Sequence, residues 1–187
     1  MPGIEDIFRG AFWPGMVAGG LSSVALAWRG RIDNDAVAAP LNASSHWVWD
    51  RPALRRNRPS LRYTATGVLV HQAASMFWGL VHAATTRERG PAPAAPSAIA
   101  DARTASAVRH ALGVTVLAAV VDLAVVPERL TPGFERRLSA RSLCWVYGSF
   151  AAGLLIGQFI ERQFSDRARL AGAPQRGPRA PSSAARS

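Results

Sequence analysis

Tyr63–Ala84, YTATGVLVHQAASMFWGLVHAA, contains no Asp, Glu, Lys or Arg. At about 1.5 Å rise per residue, a helix of that length crosses the roughly 30 Å hydrocarbon core of a bilayer. The run is not featureless. His71, Ser75, Trp78 and His82 stand at offsets of 4, 7 and 11, which places them on one helical stripe. The rest of the chain reads as partners for this helix.

Three further apolar blocks occur at about 10–28, 107–126 and 143–160. The mean hydropathy of +0.06 hides them, because the connecting segments are polar, Pro-rich or Arg-rich. Every one of the 22 basic residues is Arg, and the net charge is +10. Such a charge raises the question of nucleic acid. No RRM, zinc-finger or helix-turn-helix signature accompanies it, and the Arg residues lie in the connections and tail, where a membrane protein keeps positive charge. The expected partner is therefore the bilayer and its anionic headgroups, with no nucleic acid. The single Cys144 lies in an apolar block and can form no internal disulfide.

The expected fold is all-α: an integral membrane bundle of four transmembrane helices with a short interfacial helix and a disordered C-terminal tail. Residues 1–9 form an N-terminal segment. The membrane domain covers 10–162, with spans at about 10–28, 63–84, 107–126 and 143–160, and 163–187 is a disordered basic tail. Ala25-Leu26-Ala27 resembles a signal-cleavage site, but two acids before the apolar run and its length favour a retained span.

Small residues repeat every four positions at Gly15, Gly19 and Ser23 and again at Ser149, Gly153 and Gly157. This spacing lets helix backbones approach closely in lipid, and it predicts contact between the first and fourth spans. Between the first two spans, Pro40–Trp49 reads as the interfacial helix, with Trp47 and Trp49 at headgroup level. His46 reads there as a surface residue, and the Asn42-Ala43-Ser44 triplet as a chance match to the glycosylation pattern. Ser60 after Pro59 is a start signal for the second span. Pro91, Pro93 and Pro96 forbid regular helix before about Ser97. Thr131 with Pro132 reads as the N-terminus of an interfacial turn whose apolar side is Phe134 and Leu138. Eleven Arg residues fall on each side of the bundle, so the positive-inside rule does not orient it.

PLNASSHWVWD (40–50), GVLVHQAASMFWG (67–79) and VDLAVVPERLTPGFE (121–135) together resemble a group of uncharacterised bacterial inner-membrane proteins. That group has four spans, a P-L-N-A-x-S-H-W segment after the first and a V-P-x-R-L-T-P-G-[FW]-E segment after the third. The resemblance covers most of residues 10–160. It implies a multi-pass protein of the bacterial inner membrane and carries over no activity.

The sharpest chemical hint is a set of intramembrane polar residues: His71, His82, His110 and Asp122. In an antiparallel hairpin of the second and third spans, His71 lies level with Asp122 and His82 with His110. A His–Asp pair can relay a proton, and a His–His pair can hold haem iron or a metal. Geometry opposes both at once: His71 and His82 are about 20° apart on their helix, whereas His110 and Asp122 are about 120° apart on theirs. No hydrolase, metalloprotease or nucleotide-binding motif is present. The expectation is a non-enzymatic structural or assembly protein, with a membrane-protein partner or a second copy of itself. No catalytic residue, metal ligand set or cofactor is assigned. The alternatives are a small transporter or proton-linked channel, and a haem or metal protein.

Overall fold

The computed structural model describes residues 4–86 and 96–172. Its elements in chain order are α1 (Ile4–Asn34), α2 (Ala39–Ser44), α3 (His46–Leu54), α4 (Thr66–Thr85), α5 (Pro96–Val120) and α6 (Ala140–Gly172). A wide π-helical turn, Leu61–Ala65, leads into α4, and another, Val121–Val125, ends α5. A short 3₁₀ turn, Phe134–Arg136, precedes α6. Among the described residues there is no strand.

Three helical stretches are long and apolar enough to cross a membrane: Ile7–Asn34, Ala102–Val125 and Ala140–Ala168. The chain is thus a multi-pass membrane protein. The α4 helix is not among the three, because His71, Gln72 and His82 dilute its apolar run. Only 22% of the apolar window of α5 is buried, so most of its Leu and Val side chains face outward, as on a lipid-facing helix.

Helix α1 lies between α4 and α6 and runs antiparallel to both. Against α4, a Cβ at Gly15 would meet Met76 Cα at 2.9 Å, and one at Gly79 would meet Gly15 Cα at 2.8 Å. On the α6 side, a Cβ at Gly153 would meet Ala18 N at 2.7 Å, and one at Gly157 would meet Pro14 N at 2.6 Å. The seam expected between the first and fourth spans is therefore reassigned on its α1 side. Gly15 and Gly19 face Met76 and Gln72 of α4, while α6 places its glycines on Trp13, Pro14 and Ala18. The register differs because a helix clasped on two sides needs two small faces. Ser23 and Ser149 are half-buried.

Segment 40–49 falls in two short helices, α2 and the start of α3. All six residues of α2 are buried, and α2 packs on α4 and α1 as a plug at one end of the bundle. Asn42 makes this possible. Its amide nitrogen donates to Arg56 O at 3.0 Å and Arg58 O at 3.1 Å, and its oxygen accepts from Thr64 Oγ1 at 2.6 Å. Its fully satisfied amide is no exposed glycosylation site. His46 is buried, and its Nδ1 donates to Ala43 O at 2.9 Å. Phe134 and Leu138 are buried as well, so the turn after α5 packs into the core instead of lying on the surface. Gly133, not Thr131, precedes its 3₁₀ turn. Gly133 has φ 85°, and a Cβ there would meet Ala43 O at 2.5 Å and His46 Nδ1 at 2.7 Å, so glycine is needed on both counts. Ser60 does cap the start of the second helical stretch, its Oγ accepting from Tyr63 N at 3.1 Å.

The α6 helix runs on through Gly172, so 163–172 is helical where a disordered tail was expected. Residues 173–187 and the proline-containing stretch 87–95 lie outside the described residues, and α5 begins at Pro96.

The same end of the bundle is tied by polar side chains, of which Arg29 and Ser142 are buried. Arg29 Nε donates to Ser142 Oγ at 2.8 Å, and Asp33 accepts from Ser139 N at 2.7 Å. Arg137 Nε donates to Asn34 Oδ1 at 3.1 Å and its Nη1 to Leu54 O at 2.7 Å. Its fork thus joins the end of α1 to the end of α3.

Overpacking a close seam costs about 1–3 kcal/mol. Gly79→Leu and Gly153→Leu are expected to lower the stability of the purified protein by that amount in thermal unfolding. Gly113→Leu, where a Cβ has no neighbour within 4 Å, should leave it unchanged.

Candidate functional site

The four long helices do not close on one another at the plugged end. A cavity of about 520 Å³ remains, walled by α1, α4, α5 and α6 and by the two connections at that end. Its lining is mostly apolar, with Trp47, Phe77, Trp78, Leu130, Phe134 and Phe150 among the large side chains. Ser44 and Ser75 line it, and four further polar groups reach it: Ser22, His71, Asp122 and Tyr147.

These four form an arc. Ser22 Oγ lies 2.7 Å from His71 Nε2 and also donates to Ala18 O at 2.7 Å. A hydroxyl has one proton, so with that proton on Ala18 O the His71 Nε2–H is the donor to Ser22. The His71 ring meets Phe134 edge-on at 6.0 Å between centroids, and Phe134 meets Tyr147 edge-on at 6.3 Å. Tyr147 Oη donates to Asp122 Oδ2 at 3.1 Å. Each polar side chain is therefore held by a residue from a different helix, with Phe134 as the bridge.

Local structure explains the placement. Asp122 lies in the π turn Val121–Val125, whose wider ring is closed by Val126 N to Val121 O at 3.0 Å. Such turns displace a side chain from the regular helical phase and recur at functional sites. Phe134 is delivered by the Gly133 turn, which docks on Ala43 and His46. Trp47 Nε1 donates to Thr131 O at 2.8 Å and holds the two connections together. The segments 40–50, 67–79 and 121–135 thus meet around one cavity.

His71 and Asp122 share this cavity, but the hydrogen bonds of each run to Ser22 and Tyr147. His82 lies deeper in the bundle, fully buried, and among the described residues neither ring nitrogen has a hydrogen-bond partner. Gln158 of α6 faces it, and His110 is within electrostatic reach. Thr115 Oγ1 and Gln158 Oε1 are likewise buried and unpartnered among the described residues. His110 Nδ1 donates to Ser106 O at 2.8 Å. Among the described residues no group of three or more His, Cys, Asp or Glu is placed to hold a metal.

No family model, curated protein or solved structure matches the chain. The reading of the site therefore rests on its geometry.

Sequence reasoning found His71 and Asp122 and missed Ser22, Tyr147 and Phe134. The signal for Ser22 was its neighbour Ser23, assigned to the packing stripe one residue away. Tyr147 lies one turn before Phe150 and reads as span filler. Phe134 depended on a turn whose docking no periodicity reveals.

If Phe134 bridges the arc, Phe134→Ala lowers stability in denaturant unfolding by about 3–5 kcal/mol. Tyr147→Phe, which removes only the donor to Asp122, lowers it by about 1 kcal/mol. Equal effects would show that the bridge is not the ring.

Proposed function

We propose that this chain is a non-enzymatic protein of the bacterial inner membrane, with α4 as a fourth span, that holds a lipid-sized apolar molecule in the cavity. The resemblance to four-span inner-membrane proteins supplies the setting. One observation carries the reading: a cavity of about 520 Å³, mostly apolar, to which three separate segments contribute walls. That volume falls in the range of roughly 300–1,000 Å³ typical of small-molecule sites. An assembly role has less support, because the small-residue faces that would receive a partner helix are taken by α4 and α6 of the same chain. Native mass spectrometry of the detergent-purified protein is expected to show one retained dioleoylglycerol per chain. Ala74→Phe, which fills the cavity from its α4 wall, should abolish retention, and equal retention by the variant would overturn the reading.

A second reading, proton-linked transport, is favoured by the polar stripe on α4. From His71 it passes Ser75, whose Oγ donates to His71 O at 2.8 Å, and reaches buried His82 beside Gln158. Asp122→Asn should then abolish proton flux in proteoliposomes without altering thermal stability. A flux equal to that of the unaltered protein would exclude Asp122 as a carrier.

A further inference from the structure

A second recess of about 580 Å³ is lined by residues of the same two connections that line the cavity. Ser44 and Trp47 line the apolar cavity, and their neighbour His46 lines the recess. On the facing connection, Leu130, Pro132 and Phe134 line the cavity, and Glu128, Arg129 and Arg136 line the recess. The two linings therefore meet at the Gly133 turn, seated on Ala43 and His46.

The chemistry of the recess is opposite to that of the cavity. Four Arg residues, Arg51, Arg55, Arg129 and Arg136, face two acids, Asp50 and Glu128. Arg136 is engaged, donating to Glu128 Oε1 at 2.6 Å. The guanidinium groups of Arg51, Arg55 and Arg129 have neither an ion-pair nor a hydrogen-bond partner among the described residues. His46 is only 6% exposed, and its Nε2 has no hydrogen-bond partner among the described residues. A buried polar atom without a partner costs stability, so its retention at the wall of a cationic recess calls for a ligand. His46 donates from Nδ1 to Ala43 O, which leaves Nε2 as its ring atom for a ligand at the recess. Asp50 adds a backbone sign, holding φ 51° and ψ −153°, a conformation that L residues rarely adopt and that clusters at ligand sites.

From this juxtaposition we propose that the Arg51–Arg55–Arg129 recess, with His46 in its wall, binds the phosphate headgroup of a membrane lipid whose acyl chain occupies the neighbouring apolar cavity. The proposal rests on the cavity reading above and adds the headgroup. Guanidinium forks match phosphate oxygens, and three unengaged cations in a recess supply the complementary charge. An apolar space lined by adjoining residues of the same two connections favours a lipid over free phosphate as the source of the oxyanion. The π turn at Val121–Val125, in front of Glu128 and Arg129, places the apolar and cationic linings in one continuous segment.

The test is native mass spectrometry of the full chain in neutral detergent with three probes: dioleoylphosphatidylglycerol, dioleoylglycerol and inorganic phosphate. The unaltered protein should retain the phospholipid at least tenfold more tightly than the diacylglycerol. Arg51→Gln with Arg55→Gln and Arg129→Gln should erase that preference and leave diacylglycerol retention as it was. His46→Gln, which keeps a polar side chain, should weaken phospholipid binding several-fold and leave diacylglycerol retention as it was. Equal binding of the two lipids, or a triple variant that keeps the preference, overturns the headgroup site while leaving the cavity reading standing. Binding of neither lipid overturns the cavity reading and this proposal with it. Phosphate that competes fully with the phospholipid and binds Ala74→Phe as well as the unaltered chain would make the recess a free-anion site and overturn the lipid assignment.

Discussion

The structure depends on the closeness of two backbone seams along α1. Gly79 against Gly15 on one side, and Gly153 and Gly157 against Ala18 and Pro14 on the other, bring α4 and α6 to within glycine distance of the same helix. In lipid there is little hydrophobic gain from joining two apolar helices, so dispersion at close approach and a few polar bonds must hold them. With α1 clasped from both sides, α5 is left to pack mainly on α6 and shows lipid most of its surface. The cavity is what remains where α5 meets α4 only lightly.

The connections at one end are as ordered as the helices. Asn42 uses both amide protons and its oxygen to fix α2 to the backbone of 56–58 and to Thr64. Arg137 fixes the end of α1 to the end of α3. The Asn42 bonds satisfy a fully buried amide that would otherwise destabilise the fold. Because the two connections are pinned to each other through Gly133, neighbouring residues of each can line the apolar cavity and the cationic recess.

Much of this was legible. Uncharged runs mark membrane helices because lipid leaves few other solutions, and the two glycine rows were visible as spacing. His71 and Asp122 stood out because ionisable groups inside apolar runs are rare. What could not be read followed from contacts distant in sequence. The partner of each glycine row depends on which helix arrives at which face, and periodicity is silent on that. Pro40–Trp49 looked interfacial because its Trp residues suit headgroups, yet the decisive residue was Asn42, whose three bonds are made with residues 14–22 positions away. The α4 helix sits at the margin of an apolarity criterion for a related reason. Its polar residues are accommodated by protein, and composition does not record what a side chain faces.

The bond from Arg29 to Ser142 joins residues 113 positions apart. During synthesis α1 leaves the ribosome before α6, the helix that takes its second face. Until α6 arrives, the groove that receives Gly153 and Gly157 is bordered by lipid, and the Arg29 guanidinium lacks its serine. Insertion of α1 and its full clasping are thereby separated in time, because α6 docks on it only after α4 and α5 have followed. A ribosome stalled after α5 would leave in the membrane a chain with its helices inserted and its central helix half-clasped.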